Sequence, residues 1–169
     1  PMARVSSHSW GGSGYQSVLI EACENMYFAG HTAFFATGNE GEGSVRSPGD
    51  YYDVIGCGAT DINDYVASFS SGGWIYKANF PTAPDWWPDQ WLKPQVSAPG
   101  DNVIVPIPGN QYWYWSGTSF STPHTAGAAV LMLSGNPTLT PDEIREALEQ
   151  TAVGYNYYYP EKPDTRYGW

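Results

Sequence analysis

Thr32-Ala33-Phe34-Phe35-Ala36-Thr37 is a short apolar run with no charged residue in it. Such a run reads as a strand covered on both faces, the condition of a strand inside a parallel sheet. The residues before it narrow the choice further. Ala3 to Gly12 alternates in part and leaves through Gly11-Gly12, as a strand followed by a turn does. Residues 15–29 carry Val18, Leu19, Ala22, Met26 and Ala29 at helical spacing, and Gly30 stands where a helix stops. Strand, glycine turn, helix, glycine, strand is a βαβ unit, which implies parallel strands with helices packed on the sheet. Asp53 to Ala59 adds another buried strand, and Val66 to Gly73 reads as a strand followed by a turn.

The chain has 169 residues, enough for one domain with a sizeable core, and that domain is taken to span 1–169. It holds 17 Asp and Glu against 7 Lys and Arg, a net charge of −10. Nucleic-acid binders carry basic patches, so a nucleic-acid partner is not expected. No apolar run approaches the length of a membrane span, so no membrane partner is expected either. Cys23 falls in the expected helix and Cys57 in an expected strand, which reads as two buried thiols rather than a disulfide framework or a zinc site.

Gly117-Thr118-Ser119-Phe120-Ser121-Thr122-Pro123 runs directly into an apolar, small-residue stretch that closes at Ser134-Gly135. It reads as a tight turn and then a helix buried on most sides, with Ser119 in the first turn. A serine there is either an N-cap or a hydroxyl beside unpaired backbone N–H groups, at the end of a helix where developing negative charge is stabilised. Gly38-Asn39-Glu40-Gly41 follows the strand at 32–37, at the strand end where open α/β sheets put their sites. Asn39 is either a turn residue or a polar group aimed at that site. Further on, Thr140-Pro141-Asp142-Glu143 has the form of a capping box with proline at the first helical position, and Ile144, Ala147, Leu148 and Thr151 make the inner face of the helix it opens.

Gly-Thr-Ser-x-Ser-x-Pro-His-x-Ala-Gly, complete from Gly117 to Gly127, resembles the nucleophile motif of the subtilisin-like serine proteases. Ala36-Thr37-Gly38-Asn39-Glu40-Gly41 is similar to that family's oxyanion-hole motif, and Asn39 follows Ser9 by 30 positions, the family's interval. The resemblance implies an α/β fold, a three-layer sandwich around a mostly parallel sheet, here the C-terminal portion of such a domain and cut at both ends. It implies Ser119 as nucleophile and Asn39 as oxyanion donor. It implies that Ser9, Trp10 and Gly11 line one side of the pocket for the residue before the scissile bond. Ala36, Thr37 and Gly38 form the opposite wall, Thr118 adjoins them, and Arg46 lies near the floor. The family usually has an aliphatic residue where Trp10 stands, so a Trp10 facing the pocket alters it.

The family order is Asp, then His, then Ser, so the acid and base are expected upstream of Pro1, supplied by an N-terminal fragment. His8, His31 and His124 match no catalytic histidine of the family; His124 lies about 500° round the helix from Ser119. The isolated chain is therefore expected to be inactive. Residues 74–91 read as a proline-broken insertion, either a packed surface loop or an aromatic shelf. Leu92 to Gly100 resembles a family block in which Gln95 replaces the usual Asp. Tyr112 to Trp115 is expected to have one face buried and one wet. The chemistry needs no cofactor. Structural calcium is allowed by the resemblance, with no ligand spacing in the sequence to name its site. Expected partners are a protein or peptide substrate, and the expected setting is secreted. The rival readings are a non-catalytic peptide- or glycan-binding module on a degenerate protease fold, and a structural fragment that self-associates through an open sheet edge.

Overall fold

The computed structural model describes residues 3–153 and 164–168. In chain order its elements are β1 (Val5–His8), α1 (Ser17–Phe28), β2 (Thr32–Ala36), β3 (Ile55–Thr60), β4 (Gly73–Tyr76), a 3-10 turn (Lys77–Asn79), β5 (Gln90–Lys93), β6 (Val96–Pro99), β7 (Val103–Ile107), β8 (Gln111–Trp115), α2 (Thr118–Gly135) and α3 (Pro141–Thr151). β1, β2, β3 and β6 pair in that order as a parallel sheet, with Val5 opposite Thr32, Phe34 opposite Ile55 and Cys57 opposite Val96. Every residue of β2 and β3 is buried, as continuous apolar runs require.

Alternation along β2 divides the core. Ala33 and Phe35 pack with Ile20 and Cys23 of α1 and with Tyr51, Val54, Phe80, Trp87 and Trp91. Phe34 points the other way, into Ile55, Cys57, Val96, Ala126 and Ala129 of α2, and Ile144 of α3. Helix, sheet, helices is the three-layer α/β arrangement. Cys23 and Cys57 are buried free thiols, and burial pushes both up to about 12.

Several local expectations are corrected. Val18 is 74% exposed, and α1 turns Ile20 and Cys23 to the sheet instead. Val18 and Ile20 lie about 200° apart on a helix, so burying one exposes the other. α2 is not buried on most sides. It lays Thr118, Ser121, Thr122, Thr125, Ala126 and Ala129 inward and exposes Val130 and Leu131. Val66 to Gly72 forms no strand, only isolated bridges from Val66 to Thr60 and from Gly72 to Glu42. β8 has no wet and dry faces: Tyr112, Trp113, Tyr114 and Trp115 are all exposed, because among the described residues the β7–β8 ribbon pairs only with itself.

Residues 74–91 form an antiparallel ribbon, β4 against β5, joined by the proline-rich stretch. Phe80, Trp87 and Trp91 close the α1-side core, and Trp91 Nε1 donates to the Asp50 carbonyl at 2.8 Å. The ribbon also carries Lys93 beneath the sheet. Its ammonium donates to the Val54 carbonyl at 2.8 Å and to Gln95 Oε1 at 3.0 Å, and Gln95 Oε1 also accepts from Gly56 N at 2.7 Å. Gln95 thus accepts from both a backbone amide and a buried ammonium. Burial holds Lys93 well below its usual range, at about 7, and raises Asp53 to about 7 and Asp50 to about 6.

The capping box of α3 is present: Thr140 Oγ1 accepts from Glu143 N at 3.3 Å, and Glu143 Oε2 accepts from Thr140 N at 2.8 Å. The aromatic tail at 155–159 lies outside the described residues. Residues 164–168 form a turn that packs under Gly72, where an added Cβ would come within 1.9 Å of the Thr165 carbonyl. Among the described residues no helix is long and apolar enough to cross a membrane.

Candidate active site

β1, β2 and β3 end on the same side of the sheet, as parallel strands must, and the segment after each of the first two runs to the start of α2. α2 begins from Gly117, and no side chain caps it. Ser119 is therefore not an N-cap. Its Oγ donates to the Ser9 carbonyl at 3.3 Å. The reverse bond exists too, from Ser9 Oγ to the Ser119 carbonyl at 2.7 Å. Its origin is four residues on. Pro123 lies inside the helix and has no N–H to donate to the carbonyl of Ser119, so that acceptor is open to Ser9. A proline that would ordinarily weaken a helix here frees the carbonyl that ties the helix to the pocket strand.

Thr118, 1% exposed, fixes Asn39. Asn39 Oδ1 accepts from Thr118 N at 2.9 Å and from Thr118 Oγ1 at 3.0 Å. Thr118 Oγ1 also accepts from Gly38 N at 3.2 Å. With its oxygen held by Thr118, the carboxamide of Asn39 keeps its Nδ2 for another acceptor. A Cβ on Gly117 would lie 3.5 Å from that nitrogen, so the residue opening α2 sits beside the free donor.

A cavity of about 280 Å³ opens next to these groups, lined by Trp10, Gly11, Ala36, Gly38, Asn39, Glu40, Arg46, Thr118 and Ser119. Of the residues expected there, only Thr37 and Ser9 do not line it. Thr37 is fully buried and donates to the carbonyls of Cys57 and Ser71. Ser9 instead bonds Ser119 directly. Trp10 does face the cavity, half exposed, with its ring edge-on to Phe35 at 5.3 Å.

Arg46 lines the cavity, and Glu40 stands beside it. Arg46 Nη2 and Glu40 Oε1 are 2.7 Å apart. Glu40 Oε2 accepts from Asn39 N at 3.0 Å and from Ser71 Oγ at 3.3 Å. The Arg46 guanidinium holds the Glu40 carboxyl below its usual range, so the pair is ionised at neutral pH. Two glycines make room for it. A Cβ on Gly38, whose φ is +112°, would meet Glu40 Oε2 at 2.6 Å and Arg46 Cγ at 2.7 Å, and one on Gly11 would meet Arg46 Cβ at 2.8 Å. The only signal of Glu40's role in the sequence was its place next to Asn39.

The three histidines engage elsewhere. His8 stacks on Phe35 at 4.2 Å and shares Ser6 Oγ with His31. His31 Nδ1 pairs with the Ala3 carbonyl at 2.7 Å, and His124 Nδ1 with the Phe120 carbonyl at 2.8 Å. Among the described residues no three His, Cys, Asp or Glu side chains converge as a metal site, so calcium still has no named ligand.

The family model described as "Subtilase family" matches residues 2–169. Bacillopeptidase F of Bacillus subtilis (strain 168) is 34% identical over 97% of this chain and 11% of its own length. Subtilisin DY of Bacillus licheniformis is 35% identical over 92% of this chain and 52% of its own. The solved structure of sphericase superposes with a TM-score of 0.72 at 31% identity, covering 88% of this chain and 48% of sphericase. The chain thus spans about half, or less, of the relatives it matches. With a parallel α/β sheet, a serine at the start of α2 and an asparagine tethered beside it, the chain belongs to the subtilase family of serine proteases.

Proposed function

We propose that this chain is the nucleophile-bearing part of a serine endopeptidase. The observation that carries the reading is the convergence of Ser119, Asn39 and the cavity at the start of one helix, with Asn39 Oδ1 held by Thr118 so that Nδ2 is the free end. Ser119 Oγ attacks the peptide carbonyl, and the carbonyl oxygen becomes an oxyanion. Asn39 Nδ2 and the first-turn N–H of Ser119 receive it, at the helix end whose dipole favours negative charge. A fixed donor of this kind is worth roughly 3–4 kcal/mol in the transition state. The side chain preceding the scissile bond enters the cavity, and Ser9-Trp10-Gly11 pairs with the extended substrate by strand addition.

The proton of Ser119 needs a base, and the base an orienting acid. His8, His31 and His124 are bonded elsewhere, so the reading assigns both groups to an N-terminal segment outside these residues. The isolated chain would then bind but not turn over a peptide. A protein or peptide is the substrate, and an extracellular setting belongs to the same proposal, resting on the family resemblance. The rival, a non-catalytic peptide- or glycan-binding module, draws on the exposed aromatics Tyr112 to Trp115. Fluorophosphonate treatment of the whole protein separates the two. Labelling that disappears in Ser119→Ala supports the hydrolase; a folded whole protein that resists labelling supports the binding module.

A further inference from the structure

The two charged groups in the cavity are not equally occupied. Glu40 has both carboxylate oxygens engaged, Oε1 by Arg46 and Oε2 by Asn39 N and Ser71 Oγ. Arg46 has five N–H donors, and Nη2 to Glu40 is its one side-chain hydrogen bond among the described residues. Its backbone is fixed: Arg46 N donates to the Thr37 carbonyl at 2.8 Å, and the next residue bridges Gly12 through two backbone bonds of 2.9 and 3.0 Å. The guanidinium is therefore anchored at its root and at one edge, and Arg46 lines the same cavity as Ser119. Donors without acceptors recognise an acceptor, and a planar guanidinium fits a carboxylate best. Gly11 and Gly38 leave Arg46 the space to reach there, since a Cβ at either would collide with it.

Resting on the endopeptidase reading, we propose that Arg46 selects an acidic side chain, glutamate or aspartate, at the substrate residue preceding the scissile bond. Glu40 is the positioning residue that keeps the guanidinium in place. It also limits the preference, because its own charge opposes a second carboxylate. Arg46 is about one third exposed, so the preference is modest and screened by salt.

The test uses peptides identical except at the last residue before the bond: Glu, Gln, Leu, Phe or Lys. The whole protein is assayed for kcat/KM on their p-nitroanilides. The Ser119→Ala form of this chain is titrated with the matching N-acetyl peptides by fluorescence anisotropy. Glu should lead Gln by about tenfold, as one charge-assisted hydrogen bond allows, and Lys should come last. The lead should shrink with added salt and vanish below about pH 4, where the substrate carboxyl is protonated. Arg46→Gln should erase the lead, and Glu40→Gln should widen it. A ranking led by Leu or Phe, equal values for Glu and Gln, or a lead untouched by Arg46→Gln in a variant that still folds would overturn the proposal. The wild-type ranking needs no variant at all. The two readings fail separately: binding that favours Glu without fluorophosphonate labelling removes the hydrolase and leaves this site, whereas labelling with a flat ranking does the reverse.

Discussion

Replacing Thr118 by valine probes the link between the nucleophile helix and the carboxamide beside it. The shape is kept and one hydroxyl is lost. In the structure that oxygen accepts from Gly38 N at 3.2 Å and lies 3.0 Å from Asn39 Oδ1. Losing a neutral hydrogen bond costs about 1 kcal/mol, and stranding the Gly38 amide costs about 1–3 kcal/mol more. Urea unfolding of this chain should therefore show a loss of about 2–4 kcal/mol, with the slope unchanged. The effect on catalysis should be smaller and specific. Thr118 N still holds Asn39 Oδ1 at 2.9 Å, so the amide is loosened, not released. Loosening at about 1 kcal/mol predicts a fall of about fivefold in kcat/KM of the whole protein, against about 100- to 1000-fold for Asn39→Ala. The decisive number is the coupling. In the Asn39→Ala background, Thr118→Val should have almost no further effect on kcat/KM, because there is no amide left to orient. Thr118→Ser, which restores the hydroxyl, should recover most of the rate. Equal losses with and without Asn39 would refute the tether and reduce Thr118 to a packing residue.

Asp53 is buried, neither of its carboxylate oxygens has a hydrogen-bond partner among the described residues, and burial raises it to about 7. Its ionisation penalises the folded state increasingly as pH rises from about 4, the unfolded value, and the penalty is constant above about 7. Asp53→Asn should therefore stabilise the chain by about 1–3 kcal/mol at pH 8 and by little at pH 4; equal effects in urea unfolding at both pH values would contradict this. Gly72→Ala would put a Cβ 1.9 Å from the Thr165 carbonyl. It should cost about 1–3 kcal/mol and release the turn at 164–168, seen as faster amide exchange there, and unchanged protection would rule the contact out.

The parallel core was legible because apolar runs such as 32–36 admit few other fates, and the capping box at Thr140 is written in four consecutive residues. The convergence of Ser9, Asn39 and Ser119 was legible only through the family pattern; no periodicity joins positions 110 residues apart. Pairing across distance hid the rest. β4 and β5 are strands because each completes the other, and the prolines between them masked both. Val18 looked like core because α1 offers apolar residues on more than one side, and only the position of the sheet chooses Ile20 and Cys23. The exposed faces of α2 and β8 follow from what packs against them, which composition does not state. Glu40 gave no sign of pairing with Arg46, because the loop between them closes through backbone bonds to Thr37 and Gly12.

Mass spectrometry of the whole protein after fluorophosphonate treatment, with the adduct assigned to a residue, tests the central claim most directly. The account predicts a single adduct on Ser119 Oγ, formed more slowly in Asn39→Ala by about 100-fold. An adduct on any other residue, or a rate on Ser119 indifferent to Asn39, would contradict it.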